Sequence, residues 1–439
     1  MAALDFIVGG IPRGGTTAFA DAFNQHPEIY CHASETHLLP FAAEIAATSA
    51  VTAAAVPAVC EELRRRLRIN LIELVEFNLQ LGSPMPDLRF SDRDIDLLAV
   101  EMTRPLGEGC TGLAYANQLG AILARELRQR SGKRVVGEKT PSNVLALDRL
   151  GWNATRAASP PVFVVVRRPF AVINSMQVRL ANPEDVYSAN FSGNIAEQAG
   201  YFVRHALACA RLVQAGAQLY RYENLNGNPQ LYIRKALDSI GVAGNDRIAH
   251  SLAQTINFRG LPDSRSQFTS RDQALIDAIT RPALDQLGYG RDPASQAEAL
   301  AMDCGWHVIA GMYPDGLVER RSVVLLVTEQ QHSRAVLQVW HRFPPSVAGA
   351  DTHVGWTVHA TDGRPLATGS AMGSGPATIE LAFDLDAEAC HCCSNGNLLL
   401  VVELCCTHDF VPMAHPDAQD GASTDVRAIS GQLLHVEFD

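Results

Sequence analysis

The sequence is short of positive charge. Only 19% of its 439 residues are charged, and 36 Lys and Arg face 47 Asp and Glu, a net charge of −11. Such a chain lacks the bulk positive field on which nonspecific nucleic-acid binding rests, although a local basic pocket for one anionic ligand stays open to it. No run approaches the ~20 uninterrupted apolar residues of a membrane span. The opening MAALDFIVGG has no basic region ahead of its short apolar run, which speaks against a secretory leader. Internal repeats are absent too. The ten cysteines fall at irregular places, several as adjacent pairs, which suits a reducing compartment. A cytoplasmic enzyme is the expectation.

What is there reads as a globular protein. Hydrophobic residues make up 47%, and the length suggests two or three domains. Asp5 to Gly10 is a short apolar run ending in glycines, and Thr17 to Asn24 carries Phe19, Ala20, Ala22 and Phe23 at helical spacing: strand, turn, helix. Pro161 to Val166 and Ala217 to Tyr222 are further buried-strand candidates, with helical stretches at Ala114 to Arg130 and Asn194 to Ala215. Strands alternating with helices predict a parallel α/β sheet over residues 1–290. Residues 291–303 read as a linker. Over 304–439 the pattern becomes all-β, with runs at Arg321 to Val327, Ala335 to His341, Val354 to Ala360, Thr378 to Phe383, Leu398 to Cys405 and Gln432 to Glu437. Their turns predict a smaller sandwich-type domain.

The segment Gly9-Gly10-Ile11-Pro12-Arg13-Gly14-Gly15-Thr16-Thr17 has the shape of a phosphate loop. Glycines let backbone N–H groups curl round an anion, and the following helix N-terminus adds partial positive charge. Nucleoside triphosphatases carry Lys where this chain has Thr16, so a β,γ-phosphate pair with Mg²⁺ loses its main cation here. Arg13 is available instead for the charge that develops on a leaving group.

That pattern, with His26-Pro27, Ser34-Glu35-Thr36 and Pro40 after it, resembles the sulfotransferases that use 3′-phosphoadenosine 5′-phosphosulfate (PAPS). Within them, Gly9 to Pro40 is most similar to the tyrosylprotein sulfotransferases. The resemblance implies that Arg13, Gly14, Gly15, Thr16 and Thr17 cradle the 5′-phosphosulfate, and Gly14 replaces the usual Ser. It also implies that Arg167, at a strand end, and Ser175, eight residues on where the next helix opens, grip the 3′-phosphate, with Arg179 one turn further also on the nucleotide. Arg168 stands where the family has Asp. Gly137-Glu138-Lys139-Thr140-Pro141 resembles the segment whose Lys lies near the transferring sulfonate. Tyr220 to Leu225 resembles a strand-to-helix junction that Glu223 braces. By this likeness Glu35 is the general base and Arg13 and Lys139 stabilise the transferring group, with His32 and His37 as competing bases and His26 read as a helix-end cap. No metal is needed.

In the C-terminal part, Gly305-Trp306-His307, Arg320-Arg321, Asp409 to Pro412 and Asp425-Val426-Arg427 resemble β-sandwich modules of bacterial glycosyltransferases and other glycan-building enzymes. That tilts the acceptor toward a glycan and the source toward a bacterium. Cys390, Cys392, Cys393, Cys405, Cys406, His391 and His408 fit no standard zinc spacing. Peptide tyrosine is the alternative acceptor, for which Arg64 to Arg68 is the only dense basic run. A P-loop kinase or a noncatalytic nucleotide-binding protein is the alternative from another class. Ala42 to Leu106 and the β domain are expected to shape the acceptor pocket.

Overall fold

A computed structural model describes residues 4–32, 34–46, 54–76, 88–156, 159–182, 191, 193–243, 264–289, 305–312, 317–329, 331–342, 353–360, 364–372, 376–385, 391–392, 397–407 and 431–439. The expected linker 291–303 and the Asp409 and Asp425 segments lie outside these. The chain divides into two compact units, one formed from residues 1–168 and 208–262, the other from 169–207 and most of the chain beyond 263.

The first unit opens with β1 (Phe6–Gly10), α1 (Thr16–Asn24), β2 (Ile29–His32), α2 (Leu38–Ala46) and α3 (Val56–Arg68), which runs on as a π-helical turn over Ile69–Glu73. Then come α4 (Asp92–Gly107), α5 (Gly112–Ser131), β3 (Val135–Lys139), α6 (Asn143–Arg149) and β4 (Val162–Val166). Two helices intervene, α7 (Pro169–Leu180) and α8 (Ile195–Gln214), before β5 (Gln218–Arg221), α9 (Tyr222–Gly227) and α10 (Pro229–Ser239). The five strands form one parallel sheet in the order β2-β3-β1-β4-β5. β4 is an unbroken Val/Phe run because helices shield both faces of a central parallel strand, and every residue of it is buried. Phe6, Phe19, Phe23, Phe163 and Tyr220 interlock below α1, with Phe23 and Phe163 stacked at 5.6 Å, and this fixes the helix over the strand that precedes it.

The second unit contains α7, the start of α8, α11 (Ser270–Gln286) and the strands β6 (Gly305–Met312), β7 (Leu317–Thr328), β8 (Arg334–Arg342), β9 (His353–Ala360), β10 (Pro365–Met372), β11 (Pro376–Asp384), β12 (His391–Cys392), β13 (Leu398–Cys406) and β14 (Gly431–Phe438). They pair antiparallel in the order β10-β9-β13-β7-β14-β8-β11, with β6 on β7 and β12 on β13. Alternate residues such as Val354, Trp356 and Val358 enter one apolar core shared with Leu337, Leu381 and Val402. At Gly369 of β10 a Cβ would come within 2.7 Å of Ile379 on β11, so the ends of this strand order pack together.

The expected α/β part followed by an all-β part is what the chain forms. Five strands were not anticipated: β2, β3, β6, β10 and the two-residue β12. β3 ends in Glu138 and Lys139, and β10 is small and polar, so neither shows the apolar run by which strands are recognised. One helix start needs correction. α7 begins at Pro169, whose fixed φ suits a first helical turn, so Ser175 lies mid-helix rather than at its opening. His26 closes the end of α1 through its backbone, its N–H reaching the Phe23 carbonyl at 2.9 Å, while its Nδ1 accepts the Glu28 N–H at 3.2 Å in the turn beyond. Among the described residues no helix is long and apolar enough to cross a membrane.

Candidate active site

The carboxyl ends of the five parallel strands each deliver a candidate group, which is where open α/β sheets bind ligands. After β1 the chain turns sharply. Gly10 has φ 152°, and a Cβ there would lie 2.0 Å from the Val165 carbonyl oxygen, so only glycine permits the approach. Its N–H reaches the Pro141 carbonyl at 3.0 Å, and the Ile11 N–H reaches Val165 at 3.1 Å. Arg13 sits at φ 66°, a conformation uncommon outside glycine. Gly15 is left-handed at φ 99° and lies against Tyr222, whose ring would be 2.3 Å from an added Cβ. Gly15 caps α1 without a side-chain acceptor, and the first turn holds no acidic residue, so no side-chain carboxylate of that turn meets the positive end of the helix dipole. Thr16 is buried at the helix start and Thr17 is exposed. This cradle fits a phosphate-type group.

The loop after β2 carries Glu35 and His37, and β3 ends in Lys139. Lys133, Lys139 and Lys235 are the only lysines in the chain, and Lys139 is just 2% exposed. Its Nζ is 3.1 Å from Glu35 Oε1, while His37 Nε2 stands 3.3 Å from Glu35 Oε2. His37 adopts φ 53°, a second left-handed non-glycine residue, which folds its ring back onto Glu35. Burial alone would raise the Glu35 carboxyl, but Lys139 and His37 outweigh it and bring its pKa down to about 2. The Glu35 side chain keeps 34% of its surface open.

His32, the other histidine considered, is fully buried. Its Nδ1 lies 3.2 Å from the Tyr30 hydroxyl, and its Nε2 has no partner among the described atoms. Burial first, and Lys139 second, push its pKa down to about 3, so it stays neutral. Beside Lys139, Glu138 is buried within hydroxyl and amide donors. Burial raises its carboxyl while the bonds from Thr140, Asn143 and Thr36 hold it back.

At the end of β4, Arg167 reaches the Arg13 carbonyl at 3.5 Å and stacks 4.8 Å from the centre of the Tyr222 ring. Glu223 accepts the Arg168 N–H at 2.8 Å, tying the ends of β4 and β5 together. Ser175 and Arg179 lie four residues apart on one face of α7, in the second unit. Thus Arg13, Gly14, Gly15, Thr16, Thr17, Glu35, Lys139 and Arg167 fall on one edge of the parallel sheet. Tyr222 and Glu138 join them from family-like segments that gave neither a role, and Asn143 joins them without a sequence signal. The rarity of lysine was the one signal in composition that could have marked Lys139.

Arg64 to Arg68 is not a free basic surface. Arg64 pairs with Glu61 and Asp96, Arg65 with Glu62, Arg66 with Glu62 and Glu44, and Arg68 with Glu73 and Asp92.

Among solved structures the chain is similar to the sulfotransferase domain of the Synechococcus PCC 7002 olefin synthase, at 18% identity and TM-score 0.36, over 66% of this chain and 95% of that one. It is similar to the sulfotransferase domain from the curacin biosynthetic pathway at 16% identity and TM-score 0.36, over 66% of this chain and 99% of that one. A sulfotransferase from Alicyclobacillus acidocaldarius matches at 14% identity and TM-score 0.33, over 67% and 99%. No curated protein matches. The sequence profile of the sulfotransferase family covers residues 5–246, more than half the chain and every strand of the parallel sheet, and the chain belongs to that family.

Proposed function

We propose that this enzyme transfers a sulfonate from PAPS to a hydroxyl of a glycan or saccharide-containing acceptor. The observation that carries the sulfonate step is the nearly buried Lys139 ammonium held 3.1 Å from Glu35 at the edge of the sheet that bears the glycine loop. In this reading the Gly14 to Thr17 backbone holds the 5′-phosphosulfate, and Arg167, Ser175 and Arg179 take the 3′-phosphate, for which an Arg fork and a hydroxyl are suited. The sulfur–oxygen bond to the 5′-phosphate breaks as sulfur bonds to the acceptor oxygen. Glu35 takes the acceptor proton, and Arg13 and Lys139 stabilise the charge that gathers on the released phosphate oxygen.

A carboxyl at about 2 is a weak base while Lys139 holds it. An incoming sulfonate competes for the ammonium, and each hydrogen bond that Lys139 turns toward it returns basicity to Glu35. His32 is closed from the acceptor by burial, which favours Glu35 over it. The glycan acceptor is supported by the likeness of the C-terminal part to modules of glycan-building enzymes. The ion-paired Arg64 to Arg68 run supports it further, because a groove for acidic peptides needs unpaired cations. A peptide tyrosine acceptor is the competing reading, and the free thiols of Cys31, Cys60, Cys110 and Cys209 accord with a cytoplasmic setting rather than an oxidising one.

Calorimetry of the full chain with 3′-phosphoadenosine 5′-phosphate against ATP and Mg²⁺, with Arg167→Ala alongside, tests the donor. Tight binding of the bisphosphate, weakened at least about tenfold in the variant and absent for ATP, is expected. Preference for ATP overturns the reading. Transfer of labelled sulfonate from PAPS to oligosaccharides, lipid-linked saccharides and tyrosine peptides then separates the acceptors, and label on peptide alone sinks the glycan assignment.

A further inference from the structure

Glu138 lies one residue before Lys139, is 1% exposed, and has no part in the sulfonate step above. Its surroundings are all donors. Thr36 Oγ1 donates to Oε1 at 2.8 Å, the Thr140 hydroxyl donates to the same oxygen, and Asn143 Nδ2 donates to Oε2 at 2.6 Å. Each hydroxyl, having given its single proton to Glu138, accepts from the loop that carries Glu35. Thr36 Oγ1 takes the Leu38 N–H at 3.3 Å, and Thr140 Oγ1 takes the His37 N–H at 3.4 Å. Asn143 Nδ2 also reaches the Val8 carbonyl at 3.3 Å, on the strand that leads into the glycine loop. From the other side Asn70, in the π-helical turn that follows α3, donates to the Thr36 carbonyl at 3.1 Å. Single π-helical turns within helices are frequent at functional sites.

We propose that Glu138 is a positioning residue: its carboxylate ends two hydrogen-bond chains from the Glu35 loop, and so sets the separation of Glu35 from Lys139. The physical reason is that both oxygens must accept and neither may donate. Glutamine at this place would aim an amide N–H either at the Asn143 amide N–H or at the two donating threonine hydroxyls, and either way weaken the junction between loop, β3 and α6. The strained His37 is tied to the same junction through its N–H on Thr140, while its carbonyl takes the Phe41 N–H at 3.0 Å in α2. The inference rests on the reading of Glu35 as base for its importance, but not for its test.

The test follows the Glu35 carboxyl by ¹³C NMR titration in the full-length chain, assigned by difference with Glu35→Gln, in Glu138→Gln and in Thr36→Val. The Thr36→Val variant removes one tether at constant shape, and it serves alone if Glu138→Gln does not fold. Both variants are expected to move the Glu35 titration upward by about one unit or more, as Glu35 drifts from Lys139, with bisphosphate affinity within about threefold of the parent. At saturating PAPS the transfer rate is expected to fall about tenfold or more with KM for PAPS unchanged. A purely structural role would lower the melting temperature and leave the Glu35 titration and the rate per folded molecule where they were, and that result overturns the proposal. A Glu35→Gln variant that keeps full transfer would instead overturn the base assignment and leave the titration result standing.

Discussion

Lys139 and Glu35 define each other. Two opposite charges at 3.1 Å, one almost wholly buried, favour the ionised carboxylate, and His37 adds to the pull on it. A carboxyl held below its unfolded value near 4.5 stabilises the fold above that pH and loses this contribution as pH falls toward 2. Replacing Lys139 by Met leaves burial as the largest remaining influence, so Glu35 is expected to titrate at least about one unit higher in Lys139→Met, read by carboxyl NMR. An unchanged titration would assign the shift to His37 alone.

The strands and their turns are placed by backbone fit. Gly137 pairs with Phe6 across β3 and β1, and a Cβ on it would lie 2.3 Å from the Phe6 ring. That ring belongs to the aromatic cluster under α1 and has no room to retreat. Gly137→Ala is therefore expected to cost about 1–3 kcal/mol by overpacking, measured as a lower urea midpoint at unchanged m. A variant as stable as the parent would show that β3 can slide against β1. The family likeness identified Gly137 to Pro141 as a motif for its lysine, whereas the packing gives its glycine a separate reason.

For the molecule as a whole, acid is the weak side. His32 and His205 are fully buried, and each has its pKa lowered to about 3 by burial. The unfolded chain protonates them near 6.5, so it binds more protons between about pH 3 and 6.5, and stability rises with pH across that window. His205 Nδ1 bonds the Tyr201 carbonyl at 2.8 Å one turn earlier in α8, a bond that the Gln amide can imitate. His205→Gln is expected to reduce the slope of unfolding free energy against pH by up to about 1.4 kcal/mol per unit between about pH 4 and 6. Equal slopes in variant and parent would mean that His205 is protonated in the folded state.

Order along the chain was legible by itself. The β-branched run of β4, the glycines after β1, the helical spacing of α1 and the later alternating strands are local patterns set by backbone sterics and burial, and local patterns survive in a single sequence. The candidate anion loop and its missing lysine at Thr16 were legible for the same reason, and likeness to the family supplied roles for Glu35, Lys139, Arg167, Ser175 and Arg179. Only the tertiary structure decided which of these meet. Glu35 and Lys139 are 104 residues apart, and Thr36 and Glu138 are 102 apart. Their contact comes from β3 inserting between β2 and β1, an order that no local pattern encodes. The donor shell of Glu138 was hidden for the same reason: threonine and asparagine are ordinary loop residues until the sheet brings them round one buried carboxylate.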